Sequence, residues 1–277
     1  MRPGPERAAP GAGGPFLAVN IGNTRTSLGL WAPPAPLATT ALATTPLRTP
    51  EECAVLVRAW LTGARGGGRP APASVAIASV VPPRTALWRE AAALLGVDPA
   101  ATRVYGEDGA LGIEVRLDMP AAGVGADRLL NAIAARALLG APALVVDIGT
   151  ALTLDVVAGD GAFIGGAIAP GPVTAAAGLW RRAPGLATVD VAVPERAVGR
   201  RTDEALQAGI ALGAAGQIEA LVGAARAELG APAAPVVATG GLAQALAAAT
   251  PTVDRVDPWL TLRGLRRWAL GVGYGQA

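Results

Sequence analysis

Two segments of this chain repeat each other half a chain length apart, and that repetition leaves few architectures open. Leu17-Ala-Val-Asn20-Ile-Gly22-Asn-Thr24 and Leu144-Val-Val-Asp147-Ile-Gly149-Thr150 each run from an apolar stretch to an Asn or Asp, then an apolar residue, a glycine and a hydroxyl. The polar residues Asn20 and Asp147 stand 127 positions apart in a chain of 277. Each copy continues into a second apolar segment, Thr26 to Trp31 and Ala151 to Val157. An apolar run, a glycine and a returning apolar run are the pattern of two strands joined by a tight turn. A chain of this length exceeds a typical domain of about 100–200 residues, so two halves are expected, their glycine turns facing each other across a central cleft.

The intervening segments add helices. Glu51 to Leu61 carries apolar residues near helical spacing, and Ser74 to Val81 is a buried strand ended by Pro82-Pro83. Val124-Gly-Ala-Asp-Arg leads into Leu129, Leu130, Ile133, Ala137 and Leu138, which share one helical face. A long helix follows over Ala205 to Leu229, then a strand, Val236 to Ala238, running into Thr239-Gly240-Gly241, and a last helix from Leu262. Gly165 to Gly171 reads as a flexible turn between a strand and a helix, placed to lie against a ligand. Strands alternating with helices make the class α/β. The expected divisions are a disordered leader over 1–14, an N-terminal domain over 15–123 and a C-terminal domain over 124–277. The leader has no apolar core of the kind a signal peptide needs.

Composition excludes several chemistries. All 23 Lys+Arg residues are arginine and His is absent, which removes a phosphate-loop lysine, a Schiff base, a Ser-His-Asp triad and a His-ligated metal. Cys53 is the single cysteine, so no internal disulfide forms; it reads as a small apolar helix residue in a reducing compartment. The net charge of +2 and the scattered arginines mark no nucleic-acid face. Leu229 to Val253 is uncharged, yet Pro232, Pro235, Gly240, Gly241 and Pro251 interrupt it, so no membrane partner is expected and the chain reads as cytoplasmic.

The chemistry sits in the turns. A glycine after a strand lets backbone approach a phosphate, and neighbouring amides and hydroxyls donate to its oxygens, although a plain tight hairpin has the same sequence. A carboxylate closing the first strand commonly holds the metal that bridges phosphates; Asp147 supplies one, and Asn20 is an amide in the matching place. Asp127, at a helix start, reads either as an N-cap carboxylate or as a general base that deprotonates an attacking hydroxyl, with Arg128 holding an anionic substrate. Asp155 and Asp160 read as strand-end and turn residues. Trp60, Trp88, Trp180 and Trp268 read as core or interface.

Asn20-Ile-Gly-Asn-Thr24, Gly125-Ala-Asp-Arg128, Asp147-Ile-Gly-Thr-Ala151, Gly165 to Gly171, Thr239-Gly-Gly241 and Val256-Asp-Pro-Trp-Leu-Thr-Leu262 occur in the order seen in type III pantothenate kinases, and the resemblance runs from Leu17 to Leu270. It implies a duplicated ribonuclease-H-like, actin-like ATPase fold. It also implies ATP-dependent phosphorylation of pantothenate, the first step towards coenzyme A, with Mg²⁺ and a monovalent cation (K⁺ or NH₄⁺) in a homodimer. Asp127 would be the proton acceptor, Gly125, Ala126, Asp127 and Arg128 would contact pantothenate, and Asp147 would bind the monovalent cation. ATP would be held by the turn Asn20, Ile21, Gly22, Asn23, Thr24, Arg25, Thr26 and Ser27, by Thr150 and by Gly240 and Gly241.

The chain departs from the family pattern at three of these places. Asn20 stands for Asp, Leu117 for a substrate-contacting Tyr, and Ala183 for a substrate-contacting Thr. Loss of a carboxylate beside Mg²⁺-ATP is worth on the order of 10²–10³ in rate. Two other classes of function therefore stand beside an impaired kinase: a non-catalytic nucleotide-binding accessory protein, and a kinase of the same fold for another small alcohol.

Overall fold

The computed structural model describes residues 14–33, 35–63 and 68–271; apart from Gly14, the expected leader lies outside the described residues. One five-stranded sheet contains β1 (Phe16–Ile21), β2 (Arg25–Ala32), β3 (Ala35–Ala43), β4 (Ser74–Ser79) and β5 (Thr102–Val104), in the order β3-β2-β1-β4-β5. A second contains β6 (Ala143–Ile148), β7 (Ala151–Val157), β8 (Phe163–Pro170), β9 (Val236–Thr239) and β10 (Arg255–Val256), in the order β10-β9-β6-β7-β8. In each, the first strand pairs antiparallel with the second and parallel with the fourth. The duplication seen in the sequence is thus a duplication of topology, strand for strand.

The helices are α1 (Pro50–Thr62), α2 (Pro83–Leu94), α3 (Ala126–Leu139), α4 (Pro172–Arg182), α5 (Thr202–Glu228), α6 (Ala243–Leu246) and α7 (Leu260–Leu270). α1 starts where its sequence dictates: the Glu52 N–H donates to Thr49 Oγ1 at 3.3 Å, the Thr49 N–H donates to Glu52 Oε2 at 2.8 Å, and Pro50 enters the first turn. The central strands β1 and β6 are apolar up to Asn20 and Asp147 because both faces are covered there. In the first sheet Leu17, Val19 and Ile21 pack with Cys53, Val57 and Leu61 of α1 and Trp88 of α2. In the second, Leu144, Val146 and Ile148 pack with Ala211, Ile218 and Val222 of α5. Each fully buried Leu, Ile or Val contributes about 1.5–3 kcal/mol. α5 is long and apolar enough, on length and composition, to cross a membrane, and its inner face is a wall of this core.

Two compact units result. One comprises Met1–Gly112, Ala122–Ala134 and Thr261–Ala277, and the other Ile113–Ala121 and Ala135–Leu260. This differs from a single boundary after residue 123. The first turns of α3 bury Leu129 and Leu130 in the first unit, and α7 returns to the same unit. Gly264 of α7 sits so close to α3 that a β-carbon there would fall 2.0 Å from the Leu130 carbonyl oxygen. Arg103 donates to the Ala269 carbonyl at 2.8 Å, and Trp268 meets Tyr105 edge to face at 5.1 Å between centroids.

Two local expectations are corrected. Gly165 to Pro170 is no turn but the body of edge strand β8, and its glycines answer a backbone neighbour: a β-carbon on Gly166 would lie 1.7 Å from the Leu154 carbonyl oxygen of β7. Asp155 is not at a strand end; it lies inside β7, wholly buried, and accepts a long hydrogen bond from the Thr153 hydroxyl at 3.4 Å. Asp160 does lie in a turn, accepting from the Ala162 N–H and pairing with Arg116.

Candidate active site

In the first unit, the turn between β1 and β2 holds Asn20 to Ser27. Gly22 closes it by donating to the Arg25 carbonyl at 3.0 Å, and a β-carbon on Gly22 would crowd that same oxygen at 3.0 Å. The turn is braced from eighteen residues away. The Thr44 hydroxyl donates to the Gly22 carbonyl at 2.9 Å and lies 3.1 Å from the buried Thr26 hydroxyl, and the Thr44 N–H donates to the Thr24 carbonyl at 2.9 Å. Ile21 and Thr26 are buried, whereas Asn23, Thr24 and Arg25 are exposed at the tip. Asn20 registers with Ser27 on β2 and Ala78 on β4, and its Oδ1 is closed off from solvent with no hydrogen-bond partner among the described residues. Asn20 thus brings an uncharged acceptor to this strand end, where a carboxylate would bring charge to Mg²⁺ bound with a nucleotide.

The start of α3 comes up against the same strand ends. The Val80 N–H, just past β4, donates to the Ile21 carbonyl at 3.0 Å, and a β-carbon on Gly125 would lie 3.6 Å from Val80 Cγ1. It would also lie 2.6 Å from Asp127 Oδ1, so glycine at 125 makes room for that carboxylate. Asp127 is the second residue of α3, not its cap, and accepts from the Arg128 N–H at 2.8 Å. Burial pushes its carboxyl above the usual aspartate range, and the hydrogen bond and charge of Arg128 offset this only in part. Asp127 is thus a carboxylate with more affinity for a proton than an exposed one, in the same unit as the β1–β2 turn. Of the predicted residues, the first unit gathers Asn20 to Ser27 and Gly125 to Arg128.

The second unit gathers Asp147, Thr150, Gly240 and Gly241. Asp147 is the penultimate residue of β6, in register with Thr239 of β9. Gly240 takes a positive φ of 93°, and a β-carbon there would lie 2.4 Å from Asp147 Oδ1. Thr150 is exposed on the β6–β7 turn. That turn is gripped at the head of α4: the Gly171 N–H donates to the Thr150 carbonyl at 3.1 Å, the Thr174 hydroxyl donates to the same oxygen at 2.6 Å, and a β-carbon on Gly171 would meet the Gly149 carbonyl oxygen at 2.1 Å. Leu117 packs on β8, 3.1 Å from where a β-carbon of Gly165 would be. Ala183 caps the far end of α4, its N–H donating to the Leu179 carbonyl, and it is not drawn into this group.

A groove of about 540 Å³ between α4 and α5 is lined by Pro170, Pro172, Leu179, Leu206 and Ile210, with Thr202 and Gln217 as its polar side chains. Sequence reasoning did not single out Thr202, a hydroxyl that lines this groove. It also missed Thr44, whose contacts are all long range. A threonine that opens a long helix was the only signal for the former.

Two sheets of one strand order, each with a glycine turn after its central strand, make a duplicated ribonuclease-H-like, actin-like fold. The same fold occurs in a protein from Sinorhizobium meliloti described as a 2-dehydro-3-deoxygalactonokinase, with a TM-score of 0.56 at 13% identity over 95% of this chain and 98% of that one. It occurs again in a Campylobacter jejuni protein described as a Baf family transcriptional activator, with a TM-score of 0.55 at 18% identity over 91% and 96% of the chains. The model of the type III pantothenate kinases matches residues 16–224. Type III pantothenate kinases of Thermomicrobium roseum and a Parafrankia species are 44% and 40% identical to the chain, each over 91% of it and over 95% and 96% of their own lengths. The chain belongs to the type III pantothenate kinase family. It is an enzyme of the kinase class, and membership carries with it the use of ATP and a divalent metal.

Proposed function

We propose that this chain transfers the γ-phosphoryl group of ATP to the primary hydroxyl of pantothenate, in the cytoplasm, with Asp127 as the general base. The observation that carries the role of Asp127 is its setting: a carboxylate of raised proton affinity in the first turn of α3, seated beside the bare α-carbon of Gly125. It takes the hydroxyl proton as the oxygen attacks phosphorus and the bond to the ADP oxygen breaks. Arg128 and the backbone from Gly125 hold the pantothenate carboxylate and amide groups. The turn Asn20 to Ser27, Thr150, Gly240 and Gly241 are the residues we assign to nucleotide binding. Bound Mg²⁺ supplies charge neutralisation on the phosphates, with Asn20 as its neighbour from the protein. Asp147, cradled by Gly240, holds a monovalent cation, K⁺ or NH₄⁺. Thr202, rather than Ala183, offers a hydroxyl for substrate.

The active form is a homodimer. Ile168 on β8, Val173 and Leu179 on α4 are 67%, 50% and 42% exposed. The adjoining outward positions of α5, Ala205, Gly209 and Gly213, are small enough for a second copy to approach closely.

Pantothenate-dependent ADP release, measured in Mg²⁺ and K⁺ for the native chain and for Asp127→Ala, tests this reading. Turnover that falls by about 10²–10⁴ in the variant is the expected result. A native chain that releases no ADP with pantothenate overturns it.

A further inference from the structure

In each half of the fold the glycine turn is held by the residue that follows the third strand in chain order. On the second unit this is Gly171, just past β8, whose N–H donates to the Thr150 carbonyl at 3.1 Å. On the first it is Thr44, just past β3, whose N–H donates to the Thr24 carbonyl at 2.9 Å. What fixes the holding residue differs. Gly171 caps α4, and the Thr174 hydroxyl of the same helix donates to the same Thr150 oxygen. Thr44 has no helix at hand, since α1 starts only at Pro50. Its carbonyl is taken instead by a guanidinium from another element, Nη1 of Arg84.

Arg84 is placed against local preference. It is the second residue of α2, a helix with no acidic residue in its first turn and no side-chain cap. A cation there faces the positive end of the helix dipole, so the position weakens its own helix. Among the described residues no carboxylate pairs with it, and the one hydrogen bond of this half-buried side chain goes to the Thr44 carbonyl. A residue that breaks the rule of its own element answers a demand from outside that element. Its base is anchored too, because the Val80 N–H, in the connection from β4 to α2, donates to the Ile21 carbonyl at 3.0 Å. The guanidinium therefore joins a segment tied to the strand before the turn with the residue that grips Gly22, Thr24 and Thr26 of the turn itself.

We propose that Arg84 is a positioning residue for the nucleotide: by holding the Thr44 carbonyl it keeps the β1–β2 turn in its binding shape, and it acts through Thr44 and not by contact with the phosphates. The inference rests on the reading of the Asn20–Ser27 turn as a nucleotide site. Without the guanidinium the loop bearing Thr44 is released at that end, the turn must be ordered as nucleotide binds, and the loss falls on nucleotide affinity.

The test sets nucleotide binding against pantothenate use. The Kd of a non-hydrolysable ATP analogue with Mg²⁺ is measured by calorimetry, and the pantothenate KM by turnover, with circular dichroism to confirm folding. The proteins are the native chain, Arg84→Met, Arg84→Lys, Thr44→Val and the double variant Arg84→Met with Thr44→Val. Arg84→Met keeps the aliphatic stem and loses the donors; it is expected to weaken the analogue by about tenfold and to leave the pantothenate KM within about twofold. Arg84→Lys returns one donor and should bind the analogue within about threefold of the native chain. Once Thr44→Val has removed the hydroxyl from the bracket, Arg84→Met should weaken the analogue by only about threefold or less, because the two residues act in series. Should Arg84→Met not fold, Arg84→Ala, a strong helix former, takes its place in the same comparisons. An analogue Kd within about twofold of native in the folded variant, or a pantothenate KM that rises as much as that Kd, overturns the inference and leaves the nucleotide reading standing. So does a loss of about tenfold both with and without the Thr44 hydroxyl, which would put Arg84 on the nucleotide directly. If the native chain does not bind the analogue, the nucleotide reading of the turn falls and the inference falls with it.

Discussion

Gly240 is the seat of Asp147. The place its β-carbon would occupy is 2.4 Å from Asp147 Oδ1 and 2.7 Å from the Ile148 nitrogen, and its φ of 93° is one that side chains rarely adopt. Gly240→Ala is expected to destabilise the second unit by about 1–3 kcal/mol and to move the carboxylate off its position. Titration of activity against K⁺, beside thermal unfolding, checks this. A higher K⁺ requirement in the folded variant supports the cation role of Asp147, and an unchanged one counts against it.

Asp127 gives a pH dependence of definite sign. The folded chain holds this proton more tightly than the unfolded chain, since burial raises its carboxyl. The stability it contributes is therefore complete below the ordinary aspartate pKa of about 3.9 and is lost as pH rises through the folded value. Asp127→Asn should melt higher than the native chain at neutral pH, with the difference closing in acid. Activity should run the other way, falling as pH drops through the same group. Melting curves of both proteins from pH 4 to pH 8 decide it; a variant that melts lower throughout would contradict the burial argument.

Thr44 holds the β1–β2 turn from outside. Thr44→Val removes the donor to the Gly22 carbonyl and strips the buried Thr26 hydroxyl of its partner. The expected loss is about 1–3 kcal/mol of stability. The Michaelis constant for ATP should rise more than kcat falls, because Thr44 braces a binding turn and does not touch the base. An equal effect on both would place Thr44 in the chemical step.

The exposed apolar face of α4 and β8 makes a prediction about assembly. Ile168→Asp puts a charge in the middle of it. Light scattering should show the native chain at twice its monomer mass and the variant at the monomer mass. A native monomer at micromolar concentration would rule out the dimer.

Much of this was legible in the sequence, for a physical reason. The strand-turn-strand repeat carries its signal locally, in apolar runs and glycines within ten residues of each other, and the structure places β1–β2 and β6–β7 on those segments. Helix α1 announced itself through its apolar spacing, and α5 through an apolar stretch of helical length. What stayed hidden was decided at long range. Gly165 and Gly166 read as a turn because a glycine demanded by the Leu154 carbonyl across a strand pair looks no different from one demanded by a turn. Asp155 was placed at a strand end although the apolar segment Ala151 to Val157 runs past it, because nothing local shows that an aspartate there is buried. The return of α7 to the first unit depends on one close approach, Gly264 against Leu130, which no local pattern encodes.

That return has a consequence for how the chain is made. The first unit lies ahead of the second in chain order, yet it is completed only by the helix that starts near Thr261. Between Ala134 and Thr261 the whole of α4 to β10 must be synthesised, which takes on the order of ten seconds at about 5–20 residues per second. Throughout that interval the face of α3 that will receive Gly264 is uncovered, while the second unit gains its last strand, β10, before α7 is made. The half that is born first is finished last, and a nascent chain halted before Thr261 would carry a closed second unit and an open first one, the state in which chaperones should hold it.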